Sequence, residues 1–408
     1  MKPRPRVYGI ETEYGTSSRY LTCLDNIGLH GREVNLMMGR FKEKTYGTGF
    51  LPNGGRFYFD RDHPEYCTPE TRSAWDLALW DKAGEKIARN ALGSSIQIYK
   101  DNNDNKGAIY GCHENYLLHG GERVEGILPF IVTRQIFTGT GRYYIEENEW
   151  KFRMSQKFRG MPDFNKNSSK SYSSKNYQRF EIVVGDSNMS ETATWLKIGT
   201  TSLVIDLINN GLAPLYHMNH AEEFMNLSRR CDVRHSVKTH DGTIPAIDMQ
   251  WQYFDAISRY LEAEPGLMEC WYNTLVDLES GDDCARQVDW VAKRWVAKRL
   301  IEDGWSPSDL DILDHEYHNT DPLESLFYYM QRNGWVPRLF GDEELAKASH
   351  FPPEDTRAKA RTDLMGKNRS GRVGWDYVFI DGNRFELPDP LDPELPSNRT
   401  IFKRHRSH

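Results

Sequence analysis

Two short segments near the start of the chain alternate polar with apolar residues, the pattern of a strand with one buried face. In the first, Glu11 and Glu13 alternate with Ile10 and Thr12. In the second, RFYFD at 56–60, two phenylalanines separate an arginine, a tyrosine and an aspartate. The pattern predicts two strands whose polar rows face solvent or a cavity.

Three other segments have apolar residues at helical spacing between start and stop signals. Serine and aspartate are common N-caps, and glycine often follows a last helical turn. The predicted helices run from Ser73 to Gly93, from about Ser190 to Asn209 before Gly211, and from about Cys284 to Asp303 before Gly304.

The remaining segments are predicted as connections. The stretch from Asn165 to Asn176 contains Asn, Ser, Lys and Tyr with scarcely any aliphatic residue, which is typical of a loop. Near the end, Pro352-Pro353 and the basic run from Arg357 to Arg361 suggest a linker. Strand-like residues at 375–380 follow, so we expect one large domain and a small C-terminal unit.

Composition narrows the class of protein. The chain has 408 residues, 38% of them hydrophobic, which is enough for a large core. Its formal net charge of -7 argues against nucleic acid as a partner. Six cysteines without a CxxC pair, no apolar leader and no long apolar run predict a reduced, cytoplasmic protein that does not enter a membrane.

Glu11 and Glu13, two apart on a predicted strand, display a carboxylate pair on one face. Two such charges about 4 Å apart repel by about 4 kcal/mol at an effective dielectric near 20, and a divalent cation between them reverses this cost. A bound metal is one interpretation of the pair. The other is two exposed strand glutamates, and this segment alone does not decide between them.

A second polar row lies on the strand that follows NGG at 53–55. Arg56, Tyr58 and Asp60 share a face at intervals of about 7 Å, which can span the phosphates of a nucleotide and an acceptor. Glu65, in the HPEY turn, adds a carboxylate. Mg²⁺ prefers a few carboxylates plus phosphate oxygens and water, so these residues suit Mg-ATP better than zinc. A salt bridge between Arg56 and Asp60 is the alternative.

Several common sites are excluded. The chain has no GxxxxGK[ST], no GxGxxG after a strand and no GxSxG. The segment 101–107 lacks the glycine and glutamate positions of a calcium loop, and CHENYL at 112–117 is not HExxH. In GDSNMSE, at 185–191, the Asp and Ser residues are helix N-cap types, and a helix N-terminus can also hold an anion. ATP, if bound, must therefore lie on a sheet.

Taken together, seven blocks resemble the family of the Pup ligase PafA and the depupylase Dop, carboxylate-amine ligases related to glutamine synthetase and gamma-glutamylcysteine synthetase. The resemblance spans about nine tenths of the chain. The blocks are GIETEYG, NGGRFYFD with HPEY, LWDKAGE, YGCHENY, LPFIVTRQ, VVGDSNMSET and PPEDTRA.

The resemblance implies an α+β fold, a curved antiparallel β-sheet cradle backed by helices. It also implies a catalytic domain over 1–335 and a small C-terminal domain over 336–408 that closes over the nucleotide. The implied site residues are Glu11, Glu13, Tyr58 and Glu65 for magnesium, Arg56, Thr68 and Trp375 for ATP, and Asp60 as the catalytic base.

The implied reaction uses ATP and Mg²⁺ to phosphorylate the side chain of a C-terminal glutamate on a Pup-like modifier, which then forms an isopeptide bond to a target lysine. A disordered, acidic tag is implied as partner. Four basic residues are candidates to line its groove, with a solvated helix face as the alternative: Lys293, Arg294, Lys298 and Arg299.

The direction of the reaction is left open by these blocks. The stretch from Thr16 to Pro52 has the shorter length of the ligases, and IETE resembles PafA. The spacing from Asp60 to His63 and the LWDKAGE block are more similar to Dop. At 165–170 the chain lacks the NTRDEPHAD-like segment of both relatives. A ligase is therefore the first hypothesis, and a depupylase or deamidase and a non-catalytic nucleotide-binding relative are the alternatives.

Overall fold

The computed structural model describes residues 1–18, 49–60, 63–103, 109–157, 165–166, 176–281, 284–306, 309–366, 372–381, 383–391 and 404–405. The chain divides into two compact units. The first contains 1–4 and 99–339, and the second contains 5–98 and 340–408. The predicted domain boundary after residue 335 stays a prediction.

Strands and helices are both numerous in the described residues. The strands are β1 (Tyr8–Glu13), β2 (Gly15–Ser18), β3 (Arg56–Asp60), β4 (His63–Cys67), β5 (Ile96–Tyr99), β6 (Cys112–His119), β7 (Arg142–Glu146), β8 (Glu149–Arg153), β9 (Asn165–Lys166), β10 (Tyr177–Ile182), β11 (Ser236–Thr239), β12 (Gly242–Pro245), β13 (Tyr377–Ile380), β14 (Asn383–Glu386) and β15 (Arg404–His405). The helices are α1 (Ala74–Leu92), α2 (Leu128–Thr138), α3 (Glu191–Asn209), α4 (His220–Arg230), α5 (Ala246–Tyr260), α6 (Pro265–Ser280), α7 (Asp289–Glu302), α8 (Leu310–His318), α9 (Leu326–Arg332), α10 (Asp342–His350) and α11 (Arg357–Met365). The strand pairs β1–β4, β3–β4 and β6–β10 are antiparallel, and the predicted α+β class is confirmed.

In the second unit, β4 lies between β3 and β1 and is antiparallel to both. The two predicted alternating strands are confirmed, because Phe57 and Thr12 are buried while Arg56, Tyr58 and both strand glutamates are less so. The buried face forms an apolar core with α1. Its fully buried members are Tyr14, Leu51, Phe57, Tyr66, Ala88, Leu92 and Ile98.

Helix α1 confirms the first predicted helix. The Ser73 side chain accepts a hydrogen bond from the Asp76 backbone N at 2.9 Å, and Gly93, with φ +81°, follows the last turn. Inside the helix, Gly84 lies against the Tyr66 ring. A Cβ at Gly84 would be 2.3 Å from the Tyr66 Cδ1 atom, so the helix backbone and this ring approach as closely as a glycine permits.

The C-terminal part of the second unit differs from its prediction. Residues 357–361 are not a linker but the first half of α11, which begins after the N-cap Thr356. Composition misled here, because a proline pair and a basic run suggested a linker, whereas Arg361 is fully buried. The strand-bearing unit that follows is confirmed by β13 and β14. Val378 of β13 packs with Phe50, with α11 and with Val373, which precedes the strand.

In the first unit, β10 lies between β6 and β9. Strand β9 corrects the loop predicted from Asn165, because residues 165 and 166 pair with Ile182 and Glu181 on β10. Backbone hydrogen bonding along the edge of a strand does not require apolar side chains, so a polar composition does not exclude it. The rest of the predicted loop, 167–175, lies outside the described residues.

Helices of the first unit test the other two predictions. Helix α3 is confirmed, with Ser190 as its N-cap and Gly211 beyond its end. Helix α7 begins at Asp289, five residues after the predicted start, and ends at Glu302. The Asp289 carboxylate accepts hydrogen bonds from the Ser190 N and the Tyr317 hydroxyl, so it fixes the first turn in the interior.

Among the helices in the described ranges, none has the length and apolar character needed to cross a membrane.

Candidate active site

Strand register brings the predicted metal residues of the second unit into adjacent rows. Glu65 on β4 is directly opposite Tyr58 on β3 and Glu13 on β1. Two residues further along β4, Cys67 is opposite Arg56 on β3 and Glu11 on β1. Because side chains directly opposite each other in antiparallel strands share a face, the two rows form one polar surface.

Three carboxylates converge on this polar surface. One oxygen each of Glu13, Asp60 and Glu65 lies within 4.8 Å of the others. Glu65 is buried, with 4% of its surface exposed, Glu13 is half-buried and Asp60 is exposed. The cluster therefore has a buried base and an open side from which a ligand can reach it.

Hydrogen bonds hold the Glu65 carboxylate in place. Its Oε1 accepts from the Tyr58 hydroxyl at 2.7 Å and from the Cys67 thiol at 3.5 Å. Burial and then the nearby charge of Glu11 raise the pKa of Glu65 to about 7, in spite of these two bonds. Glu13 raises the pKa further, so the acidic side chains on this surface repel one another.

Tyr58 and Arg56 complete the row next to these acids. Burial and the proximity of Cys67 and Glu65 raise the pKa of the Tyr58 phenol far above its ordinary value, so it is a hydrogen-bond donor at neutral pH. The Arg56 guanidinium lies over the Tyr58 ring at 4.1 Å. A cation thus packs on the tyrosine that hydrogen-bonds Glu65.

These residues fit a hard divalent cation. The donors are carboxylate oxygens, which Mg²⁺ and Ca²⁺ prefer, and their mutual repulsion would be relieved by a bound charge of two. Glu13, Asp60 and Glu65 are close enough to share one ion. Glu11 and Tyr58 lie beside Glu65. Their part in the metal site stays a prediction.

The three residues predicted to bind ATP also lie in the second unit. Thr68 follows β4, is buried, and its Oγ1 accepts a hydrogen bond from the Ile10 N at 3.0 Å. Trp375 packs edge-on against Phe50, with ring centroids 5.0 Å apart, and Arg56 lies 5.9 Å from the same Phe50 ring. Their role in binding ATP stays a prediction.

Glu70 is a residue that sequence reasoning missed. Two arginines of α11 donate to its carboxylate, Arg357 at 2.8 Å and Arg361 at 3.0 Å. Burial alone would raise the pKa of Glu70, but the two guanidinium groups outweigh it and lower the pKa to about 2. The PPEDTRA block carries Arg357, and Arg361 follows it on the same helix. No local pattern in the sequence links either arginine to Glu70.

The polar residues predicted in the first unit are mostly structural. Asp186 of the GDSN block is buried and accepts hydrogen bonds from the Thr140 N, the Ser155 hydroxyl and the Gln156 N, all near 3 Å. It cannot offer a free carboxylate to a substrate without breaking these bonds. Ser190 caps α3, as the capping interpretation predicted.

The prediction that basic residues of α7 line a groove or face solvent is wrong for one residue. Lys293 is fully buried and its Nζ donates to Asp314 at 2.8 Å, so it neither lines a groove nor faces solvent. The i, i+4 spacing misled because a buried carboxylate on α8 satisfies this cation. Lys298 and Arg299 are exposed and Arg294 is half-buried, and their part in binding a tag stays a prediction.

Comparisons with known proteins identify the family of the chain. A family model described as Pup-ligase protein matches residues 6–379. The chain is 35% identical over 377 residues to a depupylase of Acidothermus cellulolyticus, an alignment that covers 81% of this chain and 75% of the relative. It is 32% identical over 433 residues to a Pup–protein ligase of Xylanimonas cellulosilytica, covering 93% of each chain.

Two solved structures are similar over most of their length. The complex between the prokaryotic ubiquitin-like protein Pup and its ligase PafA matches with a TM-score of 0.87 at 27% identity, covering 96% of this chain and 90% of that one. The structure of PafA with ADP matches with a TM-score of 0.79 at 25% identity, covering 93% and 94%.

Proposed function

The chain belongs to the Pup-ligase family, and on this premise we propose that it is an ATP-dependent ligase that joins a Pup-like protein to lysines of target proteins. The observation that carries the proposal is the convergence of Glu13, Asp60 and Glu65 within 4.8 Å, with Arg56 packed on the ring of Tyr58, which hydrogen-bonds Glu65. An acidic surface with an adjacent cation suits a nucleotide whose phosphates are bridged by a metal.

The first half of the reaction transfers the γ-phosphoryl group of ATP to the side-chain carboxylate of the modifier's C-terminal glutamate. One carboxylate oxygen forms a bond to phosphorus, the bond to the β-phosphate oxygen breaks, and ADP leaves. Arg56 would neutralise charge on the transferring group, and Thr68 and Trp375 are proposed to hold the rest of the nucleotide. Glu11, Glu13, Tyr58 and Glu65 would hold magnesium, which would supply charge neutralisation at the phosphates.

In the second half, a lysine amine attacks the carbonyl carbon of the acyl-phosphate. Asp60 accepts a proton from the lysine ammonium, and inorganic phosphate leaves as the amide forms. Asp60 is exposed, whereas Glu65 is buried, so among the three convergent carboxylates it is better placed to meet an incoming protein side chain. General-base assistance of this kind contributes about 10²–10⁴-fold to the rate.

A second candidate function has its own support. A depupylase is among the relatives, and a site that binds the same modifier and nucleotide can cleave the isopeptide bond instead of forming it. The ligase is preferred because the ligase alignment covers 93% of both chains. The predicted short ligase connection, 16–52, lies largely outside the described residues.

Two parallel incubations separate the candidates, one with the modifier as a free glutamate and one with it as the corresponding amide. The protein is mixed with ATP, Mg²⁺, a lysine-bearing protein and a Pup-like peptide that ends in glutamate. A ligase produces one ADP per amide adduct. A depupylase or deamidase instead releases lysine or ammonia from the corresponding amide with little net ADP, and a nucleotide-binding relative without activity does neither.

We also propose that the protein acts in the cytoplasm. Five cysteines in the described part of the chain, Cys67, Cys112, Cys231, Cys270 and Cys284, are not in disulfides, which suits a reducing compartment. Fractionation of cells followed by detection of the protein tests this location.

A further inference from the structure

A single arginine of the second unit contacts the segments that carry all three proposed nucleotide ligands. Arg361, on α11, is fully buried. Its Nη2 donates to the Gly54 carbonyl at 2.8 Å. Gly54 belongs to the NGG turn that leads directly into β3, and Arg56 follows it by two residues. This contact fixes the turn from which the Arg56 side chain projects.

The second contact holds the end of β4. Arg361 donates through both terminal nitrogens to the two carboxylate oxygens of Glu70, with a distance of 3.0 Å for Nη1 and Oε1. Thr68 precedes Glu70 by two residues. A bidentate pair of this kind is both strong and directional, so it restrains the backbone around Thr68 as well as neutralising the acid.

The third contact is to Trp375, the third proposed nucleotide ligand. Nη1 of Arg361 donates to the Trp375 carbonyl at 3.0 Å. The Arg361 guanidinium also lies 4.9 Å from the Trp375 ring and 5.1 Å from the Phe50 ring. Since Phe50 packs edge-on against Trp375, the arginine supports both the backbone and the ring of Trp375.

We infer that Arg361 is a positioning residue for the nucleotide site, which sets Arg56, Thr68 and Trp375 relative to one another without touching the nucleotide itself. The inference rests on the proposed function, because these three residues are the nucleotide ligands only there. Lysine cannot replace the arginine, since one ammonium group lacks the planar fork that reaches a carboxylate and two carbonyls in different directions. Misplacement of ligands by about 1 Å can cost as much as about 100-fold in function.

The test compares two conservative variants of the same helix. Arg361→Lys removes the fork, whereas Arg357→Lys alters the other arginine that donates to Glu70 and leaves the bonds to Gly54 and Trp375 intact. Binding of ADP with Mg²⁺ is measured by calorimetry on folded protein, and steady-state conjugation gives KM for ATP and kcat. We expect Arg361→Lys to weaken ADP binding about tenfold or more and to raise KM more than it lowers kcat. Arg357→Lys should stay within about twofold of the wild type.

Unchanged ADP affinity in folded Arg361→Lys would overturn the inference while leaving the ligase proposal intact. Equal weakening by both variants would also overturn it, because the effect would then come from neutralising Glu70. Absence of ADP binding by the wild type would overturn both. If Arg361→Lys does not fold, Glu70→Gln decides: the glutamine keeps one acceptor for Arg361, so weaker ADP binding supports the positioning role and unchanged binding ends it.

Discussion

Glu65 and Glu114 are both buried glutamates on antiparallel strands, one in each unit, and they differ in what surrounds them. Glu65 is 4% exposed and has acids as its charged neighbours, so its pKa is raised to about 7. Glu114 is fully buried and receives two hydrogen bonds from Arg134. Burial alone would raise the pKa of Glu114, but Arg134 and Lys197 outweigh it and lower the pKa.

The difference separates a buried carboxylate that stabilises the fold from one that is kept for binding. A structural acid is neutralised within the protein, as at Glu114, because an unpaired buried charge is costly. An acid facing other acids is destabilising unless something outside the chain neutralises it. Glu70, five residues after Glu65, follows the structural pattern, so the contrast holds within a single strand and its extension.

The largest effect is expected at the chemical step. Asp60→Asn removes the proposed proton acceptor, so conjugation should fall by about 10²–10⁴-fold while ADP binding is retained. Adduct formation on gels and ADP calorimetry measure the two quantities. Asp363→Asn on α11, far from the carboxylates in sequence and exposed, is the matched control. Undiminished conjugation by Asp60→Asn would remove Asp60 from the mechanism.

The structural acid should show its role in stability. Arg134→Met leaves the Glu114 charge buried without its main partner, and we expect a loss of about 3–5 kcal/mol in the free energy of unfolding. Urea denaturation checks this value. The double variant Arg134→Met/Glu114→Leu should recover most of the loss, and a double variant as unstable as the single one would show that packing, not charge, is decisive.

Glu65, unlike Glu114, should destabilise the folded state when its carboxylate is ionised. Its pKa rises from the ordinary 4.5 to about 7 on folding, so the folded state binds more protons between these values. Stability without divalent cations should therefore fall as pH rises from about 4.5 to 7, by up to about 3 kcal/mol. Glu65→Gln should abolish this slope, and added Mg²⁺ should oppose it in the wild type only. Denaturation curves at several pH values, with EDTA or Mg²⁺, measure these slopes, and parallel slopes for both proteins would contradict the assignment.

The smallest effect is expected at an exposed ion pair. Lys359 and Asp363 are four residues apart on α11, and the distance between Lys359 Nζ and Asp363 Oδ1 is 2.7 Å. Solvent screens such pairs, so Asp363→Asn should change the free energy of unfolding by less than about 0.5 kcal/mol. Thermal unfolding in low and high salt is sufficient to check it. A larger loss would show that exposed ion pairs contribute more to the stability of this protein than solvent screening allows.

Much of the second unit could be predicted from local patterns. The alternation in β1 and β3 placed the carboxylates on one face, and register then aligned Glu13, Glu65 and Tyr58 as neighbours. Register itself was not predictable, because it depends on which strands pair and where the turns lie. The convergence of Asp60 with Glu13 therefore needed the structure, although each residue had been singled out.

The errors share a physical cause. Residues 357–361 were predicted as a linker and Lys293 as part of a solvated stripe, since charged residues are seldom buried. Both predictions failed where a distant carboxylate supplies the partner, Glu70 for Arg361 and Asp314 for Lys293. Pairing across long sequence separations leaves no local signature, so a single sequence could not reveal it.

The missing side chain of Gly84 constrains any attempt to redesign this enzyme. Tyr66 lies between Glu65 and Cys67 in sequence, and its ring, on the opposite side of the strand, packs against Gly84 of α1. Even a single methyl group there would push the ring, and the strand that bears Glu65 would have to move with it. Substrate preference can therefore be altered by changing residues on the exposed face of the sheet, but the close packing of Gly84 against Tyr66 behind it must be kept.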